Sequence, residues 1–119
     1  MGKLEEFRAF RERMNDRILG EGHKGIQRFF NLDTQAYKEG ALPAKTLELM
    51  GLSSSMVLRC DDCIAYHVIR CVELGVTEAE ILEVFDVGLI VGGSIVIPHL
   101  RRARDLLDEL LAAGPEDVV

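Results

Sequence analysis

Apolar residues recur along most of this chain at intervals of three and four, the spacing of helices that bury one face. Leu4, Phe7, Phe10, Met14, Ile18 and Leu19 predict an amphipathic helix over about 3–19, broken by Gly20, Gly22 and Gly25. The short run Arg28–Asp33 puts Phe29 and Phe30 in the core or at a subunit contact. Asp33 or Thr34 then caps a brief helix through Lys38, ended by Gly40. Pro43 suits the first turn of a helix reaching about Ser55, whose apolar positions Leu47, Met50, Leu52 and Met56 are interrupted by Glu48. Arg59–Leu74 predicts the next helix, with Gly75 as its stop. Thr77 and Glu80 form a capping box that opens a helix carrying Ile81, Leu82, Val84, Phe85 and Leu89, closed at Gly92-Gly93. A last helix spans about 94–112, and Pro98 kinks it or marks its true first turn. Arg101, Arg102 and Arg104 lie opposite its apolar face and read as a solvated strip. The chain ends in a polar tail at 115–117. No segment alternates with period two. The fold class is therefore all-α, about six helices in a bundle.

No repeat, low-complexity tract or linker divides the sequence, so residues 1–119 read as one domain. A chain this short buries a modest core. With 48% hydrophobic residues it is expected to form oligomers. A net charge of -6 argues against nucleic acid or an anionic membrane surface as the main partner. The first residues carry two acids and no apolar run, unlike a signal peptide. The longest apolar stretch, 87–97, is too short to cross a bilayer. The expected location is the cytosol, where thiols stay reduced and a close cysteine pair serves catalysis or metal binding more often than structure.

The pair in question is Cys60 and Cys63, followed by His67, in the order C-x-x-C-x-x-x-H. On a helix all three share one stripe, and His67 stands one turn beyond Cys63. A helix start and a cationic neighbour favour thiolate, the form that attacks peroxides and disulfides. A second thiol within reach closes a sulfenic acid to a disulfide before it over-oxidises. Asp61 and Asp62 oppose thiolate unless they point outward, while their charge suits a helix start. Zinc is the competing reading, with Cys60, Cys63, His67 and one distant histidine as ligands. Against it, the pair runs straight into an apolar helix rather than a loop or knuckle.

The block from Leu42 to Ala103 resembles the alkylhydroperoxidase D-like / carboxymuconolactone decarboxylase family. Glu48 lies twelve residues before Cys60, as in the peroxidase members. Gly75-Val76-Thr77-Glu78-Ala79-Glu80-Ile81 follows the cysteine motif, and a glycine pair comes later. The resemblance implies an alkylhydroperoxidase D-like helical bundle, with a core over 42–103, that assembles into homo-trimers or hexamers. It implies a thiol peroxidase or disulfide oxidoreductase whose substrate is a peroxide or a disulfide. A lipoyl or thioredoxin-like dithiol would reduce it, and no cofactor is needed. On this reading Cys63 attacks the peroxide, Cys60 resolves it and is the more open to the reductant, His67 relays the proton, and Glu48 holds a water or accepts the proton. The peroxidase members carry a histidine immediately before the second cysteine; this chain has Asp62. The decarboxylase members lack the cysteine pair, which argues against lactone chemistry here. His99 is either a helix-start histidine satisfied by local backbone or a second histidine brought to the thiols. Tyr66 packs in the interior or at a subunit contact, or donates a hydrogen bond in the site. Cys71, eight residues after Cys63, reads as a buried apolar residue, and His23 has no evident role. The alternative class is a non-enzymatic redox sensor or a zinc-stabilised helical oligomer.

Overall fold

The computed structural model describes residues 2–113; the polar tail at 115–117 lies outside them. The described residues form six α-helices and one 3-10 turn, and contain no strand. They divide into two compact units, one up to Lys38 and one from Glu39 onward.

The first unit holds α1 (Lys3–Gly20) and α2 (Lys24–Ala36), joined by a turn in which Gly22 takes φ 75°. The helix α2 replaces the short apolar knot and the separate brief helix expected from the sequence. His23 explains this: it precedes the helix in extended conformation, and its Nδ1 accepts from the Ile26 amide at 3.4 Å. Capped there, the chain runs helical through the former knot. Thr34 caps nothing and donates instead to the Phe30 carbonyl at 3.0 Å. Phe29 is 70% exposed and so is not a core residue of the isolated chain.

The second unit carries the cysteines. It comprises α3 (Ala44–Val57), α4 (Asp61–Glu73), α5 (Glu78–Gly92), the 3-10 turn Ser94–Val96 and α6 (Ile97–Ala113). Within it α3 packs against both α4 and α5, and α4 also packs against α6. Leu52 and Met56 of α3, Ile64 and Val68 of α4, Ile81 of α5 and Leu107 of α6 are fully buried and form the core. Each such side chain contributes about 1.5–3 kcal/mol on burial. The Thr77–Glu80 capping box is present in both directions. Pro98 falls in the first turn of α6, where its missing amide costs nothing. Gly88 lies against Met56, and Gly92 against Val96 and Val57, so α5 comes close to α3 at residues without a Cβ.

The turn between α3 and α4 fixes where the motif begins. The amide of Arg59 donates to the Met56 carbonyl and that of Cys60 to the Ser55 carbonyl, the paired closure that ends helices on a left-handed residue. That residue is Arg59, at φ 58°, where glycine is the usual occupant. Helix α4 therefore starts at Asp61, two residues later than its apolar pattern indicates, with Cys60 as its N-cap.

Candidate redox site

Cys60 and Cys63 are joined in a disulfide, with Cα atoms 5.2 Å apart. The sulfur of Cys60 also accepts from the Cys63 amide at 3.2 Å, so a thiol takes the N-cap position usually held by a hydroxyl or carboxylate. Cys60 is half-buried and Cys63 exposed. The resemblance implied the reverse, with Cys60 the more open. The reason is local: the N-cap side chain folds back over the first turn of its own helix, while Cys63 stands on the turn's outer surface.

One helical turn beyond Cys63, His67 is buried among the core residues of α4. Its Nδ1 lies 2.7 Å from Oε2 of Glu48, which is only 1% exposed on α3. Burying a carboxylate is costly unless it is paired and hydrogen-bonded. Here the imidazole pairs one oxygen, and Nε of Arg70 stands 3.9 Å from the other. Nδ1–H donating to the carboxylate leaves Nε2 as the proton acceptor. Helix α3 thus carries Glu48 as a buried group paired with His67 rather than as a residue at a helix edge. Tyr66 sits half-buried beside the dyad, its ring edge-on to His67 at 5.3 Å between centroids.

Two further residues shape this dyad, and no residue pattern singled them out. Gly51, one turn past Glu48, lies directly under the imidazole. A Cβ there would stand 2.7 Å from Cε1, 2.9 Å from Nε2 and 3.0 Å from Nδ1 of His67. The available signal was a glycine inside a helix, which costs about 1 kcal/mol against alanine and needs a packing reason. Arg70, three residues after His67, shares its helix face, and its NH1 also donates to Glu73 at 2.8 Å.

His99 is satisfied by a side chain rather than by local backbone. Its Nδ1 lies 2.7 Å from Oδ1 of Asp61, the residue after Cys60, and Arg102 donates to Oδ2 at 3.1 Å. The fold therefore brings a second histidine to the start of the motif helix. Arg102, read as part of a solvated strip, is engaged there too. Asp62 is exposed. Among the described residues, no group of three His, Cys, Asp or Glu side chains is arranged to hold a metal ion. Nor is any described helix long and apolar enough to cross a membrane.

Cys71 is fully buried, and burial, with the Glu48 carboxylate adding to it, pushes its thiol up to about 12. A thiol so raised stays neutral in the folded chain, while the unfolded thiol ionises near its ordinary value of 9.0. Its contribution to stability is full below about pH 9 and is lost as pH rises towards 12. In reduced native protein at pH 8.5, iodoacetamide is expected to modify two thiols and to reach the third only in denaturant. Mass spectrometry of the labelled chain checks this, and three adducts under native conditions would contradict it.

An all-helical fold with a disulfide-forming pair at one helix start, and on the same helix a buried histidine paired with a carboxylate from the preceding helix, defines an alkylhydroperoxidase D-like protein. The chain belongs to the carboxymuconolactone decarboxylase family, whose model matches residues 26–106. A structure of TM1620 from Thermotoga maritima is 52% identical, with a TM-score of 0.89, covering 92% of this chain and 96% of that one. A second structure of TM1620 is 49% identical, with a TM-score of 0.90, covering 96% and 97%. It is described as a carboxymuconolactone decarboxylase family protein for which involvement in an antioxidative response is suggested. The apo form of lpg0406, a family member from Legionella pneumophila, is 25% identical, with a TM-score of 0.82, covering 90% and 96%. No curated protein matches the chain.

Proposed function

We propose that this protein is a thiol-dependent peroxidase and disulfide oxidoreductase of a reducing compartment, the cytosol. The observation that carries the reading is the Cys60–Cys63 disulfide at the N-terminus of the helix that also holds His67 against Glu48. The suggested antioxidative role of a relative 49% identical supports it.

In the reduced protein Cys63, the exposed thiol, meets the peroxide. His67 Nε2 takes its proton, and the imidazolium is stabilised by Glu48. The Cys63 thiolate attacks one peroxide oxygen, the O–O bond breaks, and the alkoxide or hydroxide leaves with the proton returned by His67. Cys63 is now a sulfenic acid. The thiolate of Cys60, held by the Cys63 amide, attacks that sulfur, and hydroxide leaves as water after protonation. A lipoyl or thioredoxin-like dithiol then attacks the exposed Cys63 sulfur. Cys60 departs as a thiolate into the same amide contact, and the second thiol of the partner closes the partner's own disulfide. The demand for a low pKa in the leaving thiol thus falls on Cys60, and the access demand on Cys63.

Thiol counting before and after one equivalent of peroxide, with metal analysis of the same sample, tests the reading. Loss of two thiols, restored by a dithiol, without bound zinc is the expected result. Unreactive thiols with stoichiometric zinc would replace it with the zinc-stabilised oligomer. Oxidation without turnover would leave a redox sensor.

Assembly into a homo-trimer or hexamer belongs to the same proposal. Leu58, Val87, Ile90, Val91 and Ile95 are exposed, and Met50 and Val87 line an apolar groove of about 370 Å³ between α3 and α5. These side chains, four of them between residues 87 and 95, supply the apolar material of a subunit contact. Sizing chromatography with light scattering is expected to give a multiple of 13.3 kDa, three or six. A monomer across micromolar concentrations would contradict it.

A further inference from the structure

Asp61 opens α4 directly after Cys60, and a carboxylate so near the Cys60 sulfur opposes its ionisation. In the folded chain that charge does not stand alone. Helix α6 presents one partner to each carboxylate oxygen: His99 Nδ1 to Oδ1 at 2.7 Å and Arg102 NH1 to Oδ2 at 3.1 Å. These partners come from 38 and 41 residues along the chain, so only the packing of α6 on α4 unites them with the thiols. The other charged groups of this stretch are Arg59 and Asp62, both exposed, which flank Cys60 with opposite sign. Glu48, His67 and Arg70 form a separate buried set between α3 and α4.

We propose that His99 and Arg102 are positioning residues for the thiol pair. They hold Asp61 in place and neutralise it, and by doing so set the acidity of Cys60. The inference rests on the redox reading in taking the Cys60 thiolate as the working form. Neither residue touches the reacting atoms; both act through Asp61. The scale is adequate: in an effective dielectric of about 40–80, one unit charge on an adjacent residue moves a titration by roughly half a unit to one unit. A shift of that size changes the thiolate fraction at pH 7 by about threefold to tenfold.

The test follows the Cys60 thiolate by its absorbance near 240 nm against pH. The protein is reduced and carries Cys63→Ser, so that Cys60 is the one thiol titrating below about pH 11. Arg102→Gln is expected to raise the Cys60 midpoint by about half a unit. His99→Ala is expected to raise it by a smaller step, and Asp61→Asn to lower it. With Asp61→Asn already present, Arg102→Gln is expected to move the midpoint by a clearly smaller step, because the part of its effect that works by holding Asp61 is gone. Two results would overturn the proposal. One is a midpoint unmoved by Arg102→Gln and His99→Ala while thermal stability falls, which is the behaviour of a structural surface cluster. The other is a shift from Arg102→Gln that persists undiminished in the Asp61→Asn background, which would mean that Arg102 acts without Asp61. Peroxide consumption by the parent protein is measured separately. Its absence removes the redox reading and leaves the titration result standing.

Discussion

Serine in place of Cys63 is expected to reduce peroxide consumption to the uncatalysed level, with no burst of even one equivalent. Serine in place of Cys60 is expected to give a burst of one equivalent and then stop. The asymmetry follows from the roles. Without Cys63 no sulfur attacks the peroxide, and a serine hydroxyl at neutral pH cannot substitute for a thiolate. Without Cys60 the first step still occurs, but the sulfenic acid has no thiol to close on and accumulates; only excess peroxide, consumed as a second equivalent, carries it on to sulfinic acid. Cys71→Ser is expected to retain turnover, because that thiol is buried and held neutral up to about pH 12. The substitution buries a hydroxyl in an apolar site and costs about 1–3 kcal/mol, so rates are compared per folded molecule. Stopped-flow peroxide consumption, with mass spectrometry of the product, separates these outcomes. Equal loss in the Cys71 variant would sink the assignment of the pair.

The second large effect concerns the buried dyad. Glu48→Gln keeps the shape and the hydrogen bond to His67 but removes the charge that stabilises the imidazolium. The expected loss is about 100-fold in rate, the scale of general acid–base help, with the fold retained. Gly51→Ala probes the same imidazole from below. Alanine gains about 1 kcal/mol of helix propensity over glycine. Overpacking costs about 1–3 kcal/mol. The second effect wins, because the nearest atoms belong to a ring fastened by Glu48, and three of them lie within 3.0 Å of the new Cβ. The ring must turn off the carboxylate, so the rate is expected to fall at least as far as in Glu48→Gln, with a modest drop in melting temperature. Gly88→Ala serves as the control: its Cβ would meet the flexible Met56 side chain at 3.1–3.4 Å, costing some stability and leaving the rate per folded molecule unchanged. A Glu48→Gln enzyme at full rate would show that the dyad is a structural ion pair.

Much of this site could be read before any coordinates. The order of Glu48, Cys60, Cys63 and His67 points to the residues that the structure gathers into a disulfide and a buried dyad, and the capping box marks the start of α5. Gly75 closes α4 at φ 82°, as its place after Leu74 indicated. What the pattern missed has identifiable causes. A histidine cap at His23 carries a weaker signal than Asp33 and Thr34 inside α2, so the pattern alone divides that helix. The apolar pattern starts α4 early because Arg59 occupies a left-handed position that only glycine or asparagine announces. Arg102 resembled any solvated arginine, since its partner lies 41 residues away.

The sequence alone determined the all-helical class, the helix that carries the cysteine pair and the closeness of its two sulfurs. All of these depend on spacings within one or two turns, where helix geometry fixes which side chains are neighbours. Tertiary packing decided the rest. It sank Glu48 beside His67, laid Gly51 under the ring, and carried His99 and Arg102 to Asp61. Those arrangements join residues on different helices, and the free energy that selects them comes from burying the shared core rather than from any local spacing.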